Sequence, residues 1–385
     1  MKRISSLLFA LLLALSLFGC NQPSAPSTTP AATESVVWYD QNTVSITAEQ
    51  VDSIVGGQFE KPKNIILLIG DGMGANDITL CREYGQDNFD FGLVLDRIPH
   101  HGLSTTHSAS DEVTDSAAAG TALATGTKTN NDYVGMLPDS TRLKNISEIA
   151  REQGKKVGII TDDAITGATP SAFLAHNESR DNEDEIYEEA LRFAPDVYIG
   201  KGDTARYNRA LELGFNAATR FQQTAYTFSQ TDDRTKPFVT FNNGYRMSVS
   251  DELSQCTQLA LNLLDNEKGF FLMVESSGTD KYGHSQKIAG KIASVTTLDR
   301  TLAAILLFME QHPDTLLVVT SDHETGGVQL PNDGEQPGDH LFTTDYHTAT
   351  PVKVFAVGQG SEYFADKTVD NTDIGKFLID AVTAQ

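Results

Sequence analysis

The chain has 385 residues, 39% of them hydrophobic, with 30 glycines and 13 prolines; this is enough for one large domain or two ordinary ones and excludes collagen-like or wholly disordered classes. Its 29 basic and 52 acidic residues give a net charge of −23, which excludes a nucleic-acid binder that works through a general positive field. Three cysteines with no CxxC pair exclude a disulfide framework, a zinc ribbon and a dithiol redox centre.

At the amino terminus, Lys2 and Arg3 precede an apolar run from Leu7 to Phe18 that is too short for a comfortable permanent span, which predicts an export signal over residues 1–19. The run ends in Leu17-Phe18-Gly19-Cys20, which resembles the bacterial lipobox. Lipid on Cys20 would hold an otherwise soluble, exported body on a membrane, at the periplasm or cell surface. Residues 20–60 read as a tether and N-terminal segment, because Gln22 to Glu34 is Pro, Ser, Thr and Ala with almost no large apolar side chain. The catalytic body is expected over residues 61–385.

Five apolar runs follow: Asn64–Ile69, Lys156–Thr161, Phe270–Val274, Thr315–Thr320 and Val352–Val357. Near-continuous apolar character predicts strands covered on both faces. Between them, Ile146–Gln153, Leu253–Leu264 and Ile292–Gln311 have helical character. The alternation predicts an α/β fold with an open, mostly parallel sheet between helix layers. Ligands in such sheets bind beyond the carboxyl ends of the strands.

Those ends carry carboxylates and imidazoles. The first run leads into Gly70-Asp71-Gly72-Met73-Gly74, the third reaches Glu275, Asp280 and His284, and the fourth runs into Asp322-His323. Each alone suits a turn, a cap or a solvated helix face; together they point to a metal site. Asp280 and His284, at i and i+4, share a face if their segment is helical. Oxygen and nitrogen donors without Cys suit zinc where imidazole contributes and magnesium where only oxygens do. Ser116, in Thr114-Asp115-Ser116-Ala117, is a nucleophile candidate at the start of an Ala-rich helix, a position that equally suits a plain capping segment. Gly126-Thr127-Lys128-Thr129 lacks the order of a phosphate loop.

Taken in register, VTDSAAAGT, GDGMG, Ala168-Thr169-Pro170, AHNESR, VESSGTDKYGH, SDHETGG and the later His347 closely resemble the alkaline phosphatase family over roughly residues 63–357. The resemblance implies that Asp280, His284 and His347 hold one zinc, and that Asp71, Asp322 and His323 hold a second, which also binds the Ser116 oxygen. It implies a third ion, usually magnesium, on Asp71, Thr169 and Glu275, and a phosphate-clamping Arg180. Two Zn2+ and one Mg2+ per chain would then serve a two-step displacement on phosphate monoesters through a phosphoserine, with phosphate scavenging as the purpose of export. Family members are often homodimers. Lys281 matches relatives in which it reaches phosphate through water, and it equally suits an exposed helix lysine. Gly167 stands where relatives often carry Asp or His, and His340 rivals His347 as a ligand. His100, His101, His107, His176 and His312 suit packing or surface roles.

The stretch near 181–243 carries no assignable motif and is expected to form a small subdomain covering the site. Cys81 and Cys256 can pair or stay free. A phosphodiesterase or phosphonate hydrolase on the same scaffold is the alternative, against which Ser116 argues, since such relatives usually use Thr. A sulfatase would need an Arg that Ser116-Ala117-Ala118-Ala119-Gly120 lacks, and a lipoprotein that only binds phosphate or metal is the non-catalytic reading.

Overall fold

The computed structural model describes residues 44–85, 89–219, 237–241 and 252–384. The expected export signal, the lipid-bearing Cys20 and the tether up to residue 43 lie outside the described residues. From residue 44 onward the expected N-terminal segment is folded, with a helix at Ala48–Val55 closed by a capping box between Thr47 and Gln50.

One sheet organises the body. In chain order its strands are β1 (Asn64–Gly70), β2 (His100–Thr105), β3 (Lys156–Ala164), β4 (Val197–Lys201), β5 (Asn216–Ala218), β6 (Phe238–Phe241), β7 (Phe270–Ser276) and β8 (Thr315–Thr320). After a small hairpin of β9 (Glu324–Thr325) and β10 (His347–Thr348), β11 (Val352–Val357) and β12 (Thr368–Asp370) complete it. The ten-stranded order is β12-β2-β11-β8-β1-β7-β3-β4-β6-β5. Every pairing is parallel except those of β11 with β8 and β2. The fold is therefore the expected α/β sandwich with a mostly parallel sheet.

Alternation along each strand splits the core into two layers. Ile66 and Leu68, with Leu272, Val274, Leu317 and Val319, face helices 252–264 and 288–311. Ile65, Leu67 and Ile69, with Phe271 and Met273, face helices 116–125, 146–152 and 371–383. Both faces of the central strands are thus buried, which is why NIILLIG shows no polar alternation. The helix Ile288–Gln311 is long and apolar enough to cross a membrane by length and composition, but Val295, Leu298, Leu302 and Ile305 bury it against the sheet.

That helix also supplies a buried cation that ties the site together. Lys291 Nζ lies 2.9 Å from Asp77 Oδ2, with both side chains fully buried, and it donates to the carbonyls of Gly72 and Thr325. Burial pushes the Asp77 carboxyl up to about 6, although Lys291 opposes the shift. Lys291→Ala would leave Asp77 buried and unpaired. We expect it to cost about 3–5 kcal/mol, measured by urea unfolding of the metal-stripped protein.

Among its described residues, the stretch near 181–243 holds helices 183–193 and 204–212 and three strands of the main sheet. There β4, β6 and β5 extend the sheet, because Val197–Lys201 and Phe238–Phe241 are apolar enough to pair in parallel beside β3. Cys81 and Cys256 do not pair; both are buried free thiols, and burial pushes the Cys81 thiol up to about 11.

Candidate active site

The three central strands β8, β1 and β7 lie side by side, so the residues after their carboxyl ends converge. Asp71 follows β1 and donates its N–H to Ser276 O of β7 at 3.0 Å. Helix 278–284 follows β7 and carries Asp280 and His284 one turn apart. Asp322 and His323 follow β8. The turn after Asp71 demands glycine at position 72: φ is +70°, and a Cβ there would lie 2.6 Å from both Asp280 Cα and Thr325 Oγ1.

Hydrogen bonds assign the protons on the imidazoles. His284 Nδ1 donates to Asp345 O at 2.7 Å, and His347 Nδ1 donates to Thr114 O at 2.9 Å. Their Nε2 atoms then face each other at 3.2 Å, and each lies 3.3 Å from Asp280 Oδ1. Three electron-pair donors converging with no proton between them call for a cation, and carbonyl anchoring of Nδ1 is how metal-binding imidazoles are held. Without a cation, protons must fill the gap. Burial then pushes Asp280 up, but hydrogen bonds from His284 and His347 outweigh it and hold the carboxyl far below its usual range.

A second cluster adjoins the first. Thr325 Oγ1 donates to Asp280 Oδ1 at 2.7 Å and accepts from His323 Nδ1 at 3.2 Å. The remaining lone pair, on His323 Nε2, lies 3.2 Å from Asp322 Oδ2, 3.6 Å from Asp71 Oδ1 and 3.1 Å from Ser116 Oγ. Asp71 Oδ1 and Asp322 Oδ2 are buried with no hydrogen-bond partner. Burial and the neighbouring Asp322 push Asp71 well above the carboxylate range, Asp322 is pushed up to about 6, and burial drives His323 well below its usual value. Buried acceptors with unspent lone pairs fit a divalent metal ion.

The oxygen-only donors behave differently. Burial pushes Glu275 up to about 8, and its Oε2 accepts from Thr161 Oγ1. Thr169 is buried in helix 168–172, directly after Gly167, with its Oγ1 unpartnered. Asp162, also buried, has one free carboxylate oxygen.

Ser116 opens helix 116–125, where Asp115 is the capping residue and accepts from Ala118 N at 2.9 Å. The other oxygen of Asp115 accepts from Arg180 Nη1 at 3.1 Å, which aims that guanidinium at the helix that Ser116 opens. Lys281 is half-exposed and forms an ion pair with Asp163. His340 lies apart, exposed and paired with Glu335 at 2.8 Å, whereas His347 Nε2 lies 3.3 Å from Asp280 Oδ1. His176 is buried against Glu189 and Arg142, His100 bonds Ser361, and His312 stacks on Phe308. Sequence reasoning missed Thr325, Asp115 and Asp163. Thr325, inside SDHETGG, and Asp115, inside VTDSAAAGT, stood within local signals, whereas Asp163 did not.

The chain is similar in sequence and fold to known proteins. The sequence model of the alkaline phosphatase family matches residues 62–199 and 245–337. Alkaline phosphatase 4 of Bacillus subtilis (strain 168) is 33% identical over 71% of this chain, which spans 64% of that relative's length. Alkaline phosphatase of Escherichia coli (strain K12) is 30% identical over 76% of this chain and 77% of its own. Among solved structures, the alkaline phosphatase of the Antarctic bacterium TAB5 superposes with a TM-score of 0.70 at 30% identity, covering 85% of this chain and 99% of its own. A variant of that enzyme carries bound Mg. The chain is an enzyme of the alkaline phosphatase family.

Proposed function

We propose that this chain hydrolyses phosphate monoesters through a phosphoserine on Ser116, using two Zn2+ and one Mg2+. The observation that carries the reading is the position of Ser116 Oγ, 3.1 Å from the unprotonated Nε2 of His323 and at a helix N-terminus. Asp280, His284 and His347 would hold one zinc, Asp71, Asp322 and His323 the other, and Asp71, Thr169 and Glu275 the magnesium. When bound, the ions would lower the proton affinity of Ser116 and of water and neutralise charge on the departing oxygen.

Ser116 Oγ gives up its proton to solvent and attacks phosphorus, and the bond from phosphorus to the alcohol oxygen breaks. Water then attacks the phosphoserine and releases inorganic phosphate and free Ser116. Arg180, held by Asp115, offers its remaining N–H groups to two phosphoryl oxygens. Lys281, held by Asp163, adds positive charge at the rim. These cations supply a local positive field on an otherwise acidic chain.

Steady-state hydrolysis of p-nitrophenyl phosphate and its bis-ester, with chelator stripping and add-back of zinc or magnesium, tests the reading. Monoester turnover that chelation abolishes and zinc restores is expected; preferential bis-ester cleavage would make the chain a diesterase. Arg180→Ala is expected to raise KM about 10–100-fold, the size of a lost charge-assisted contact, with zinc content unchanged. Zinc loss in that variant, read by elemental analysis, would make Arg180 structural. Residues 1–19 would direct export, and lipid on Cys20 would keep the enzyme on a membrane where it scavenges phosphate. Labelling with a radioactive fatty acid, present in the parent and absent in Cys20→Ala, checks the anchor.

A further inference from the structure

Three rings make a ladder from the nucleophile to solvent. His323, in contact with Ser116, stacks on His347 with centroids 3.6 Å apart and planes 20° apart. His347 in turn stacks on Tyr346, at 4.8 Å and 13°. Tyr346 also lies 6.0 Å from the ring of His284. The two inner rings are buried, whereas Tyr346 is 54% exposed, more than any other large hydrophobic side chain among the described residues.

Single exposed aromatics are common on protein surfaces and need no explanation by themselves. Tyr346 differs because it is fixed at a reacting centre. Its N–H donates to Thr344 Oγ1 at 3.2 Å, its carbonyl accepts from Gly326 N at 2.9 Å, and its ring is backed by an imidazole. A rigid aromatic face open to water at a site mouth is pre-organised to take a planar group.

The reaction geometry says which group that is. In an in-line displacement the departing oxygen lies opposite the attacking one. With Ser116 Oγ attacking from the His323 side, the alcohol would leave toward the neighbouring cluster of Asp280, His284 and His347, against whose two imidazoles Tyr346 stands. We propose that Tyr346 is a specificity-determining residue that stacks on the leaving alcohol and favours aromatic phosphate monoesters over small alkyl ones. The inference rests on the phosphomonoesterase reading above. Because the alcohol has left once the phosphoserine forms, Tyr346 acts on the first step alone and enters kcat/KM.

Calorimetric binding of phenylphosphonate and methylphosphonate to the zinc- and magnesium-loaded protein tests this without turnover, alongside kcat/KM for p-nitrophenyl phosphate and glycerol phosphate. Tyr346→Ala is expected to lower the phenyl-to-methyl affinity ratio about 5-fold, the size of one aromatic stack, and to lower the aryl-to-alkyl ratio of kcat/KM similarly. Tyr346→Phe should keep both ratios. Equal loss on both ligands would show that Tyr346 only supports His347, and unchanged ratios would show that the ring meets no substrate; either overturns the proposal. If the parent protein neither binds methylphosphonate nor turns over any monoester, the functional reading fails first and takes the inference with it.

Discussion

Ser116→Ala is expected to lower monoester turnover at least about 10³-fold while the metal content stays that of the parent. The size follows from what the hydroxyl does. Ser116 Oγ lies 3.1 Å from His323 Nε2, and the helix that Ser116 opens offers free N–H groups to an arriving anion. Alanine would remove the atom proposed to bond phosphorus but keep Asp115 as cap, the guanidinium of Arg180 that Asp115 holds, and every carboxylate and imidazole of both clusters. Position 116 is buried within a tightly packed Ala-rich turn, so the smaller side chain opens little space. The residual rate would measure direct attack of water on bound ester. Zinc by elemental analysis, read beside kcat and phosphate affinity, checks the assignment. Near-parental turnover with full zinc would remove Ser116 from its role, and loss of zinc would make it chiefly a ligand. Acid-quenched incubation with labelled phosphate adds an independent reading, since a covalent phosphoprotein should form in the parent and not in the variant.

The central sheet was legible because burial on both faces leaves a plain mark on sequence. Asn64–Ile69, Lys156–Thr161, Phe270–Val274, Thr315–Thr320 and Val352–Val357 all lie within strands, and each is close to continuously buried. β2 left no such mark: His100–Thr105 alternates between buried and partly exposed positions, and its sequence is mostly polar. β4 and β6 were hidden by their shortness, so no strand was read in their stretch. At the site, residue types that bind metals announce themselves, and their positions after adjacent parallel strands place Asp71, Asp280, His284, Asp322 and His323 near one another. The contacts that aim them do not announce themselves. Asp115 meets Arg180 across 65 positions of sequence and Thr325 meets Asp280 across 45, contacts made by topology rather than by local pattern. Asp163 is hidden for the same reason, since only the meeting of β3 and helix 278–284 gives it Lys281 as a partner.

The contrast between two histidines seven positions apart gives the second large effect. His347→Ala is expected to lose one zinc equivalent and at least about 10³-fold in turnover, whereas His340→Ala should keep both. The sequence context leans to His347, which stands just before Thr348-Ala349-Thr350-Pro351-Val352 as the family resemblance implies, and their surroundings differ as well. His347 is buried, its Nδ1–H is spent on Thr114 O, and its Nε2 is aimed at His284 Nε2 and Asp280 Oδ1. Removing it leaves two donors where three converged, and a two-donor site on a half-exposed rim cannot hold zinc against water and chelator. It also removes the middle ring between His323 and Tyr346, so the aromatic support of both is lost at once. His340 is exposed and pairs with Glu335, a contact worth little in high-dielectric surroundings. Zinc titration of the stripped proteins separates the outcomes. His347→Gln keeps the bulk and a polar tip but presents an amide in place of the imidazole nitrogen; it should bind zinc far more weakly than the parent while unfolding at a similar urea concentration when both are metal-free. If His340→Ala were the variant that lost zinc, the first cluster would need a rearrangement that brings residue 340 in from the surface, and the ladder ending at Tyr346 would no longer line the path of the leaving alcohol.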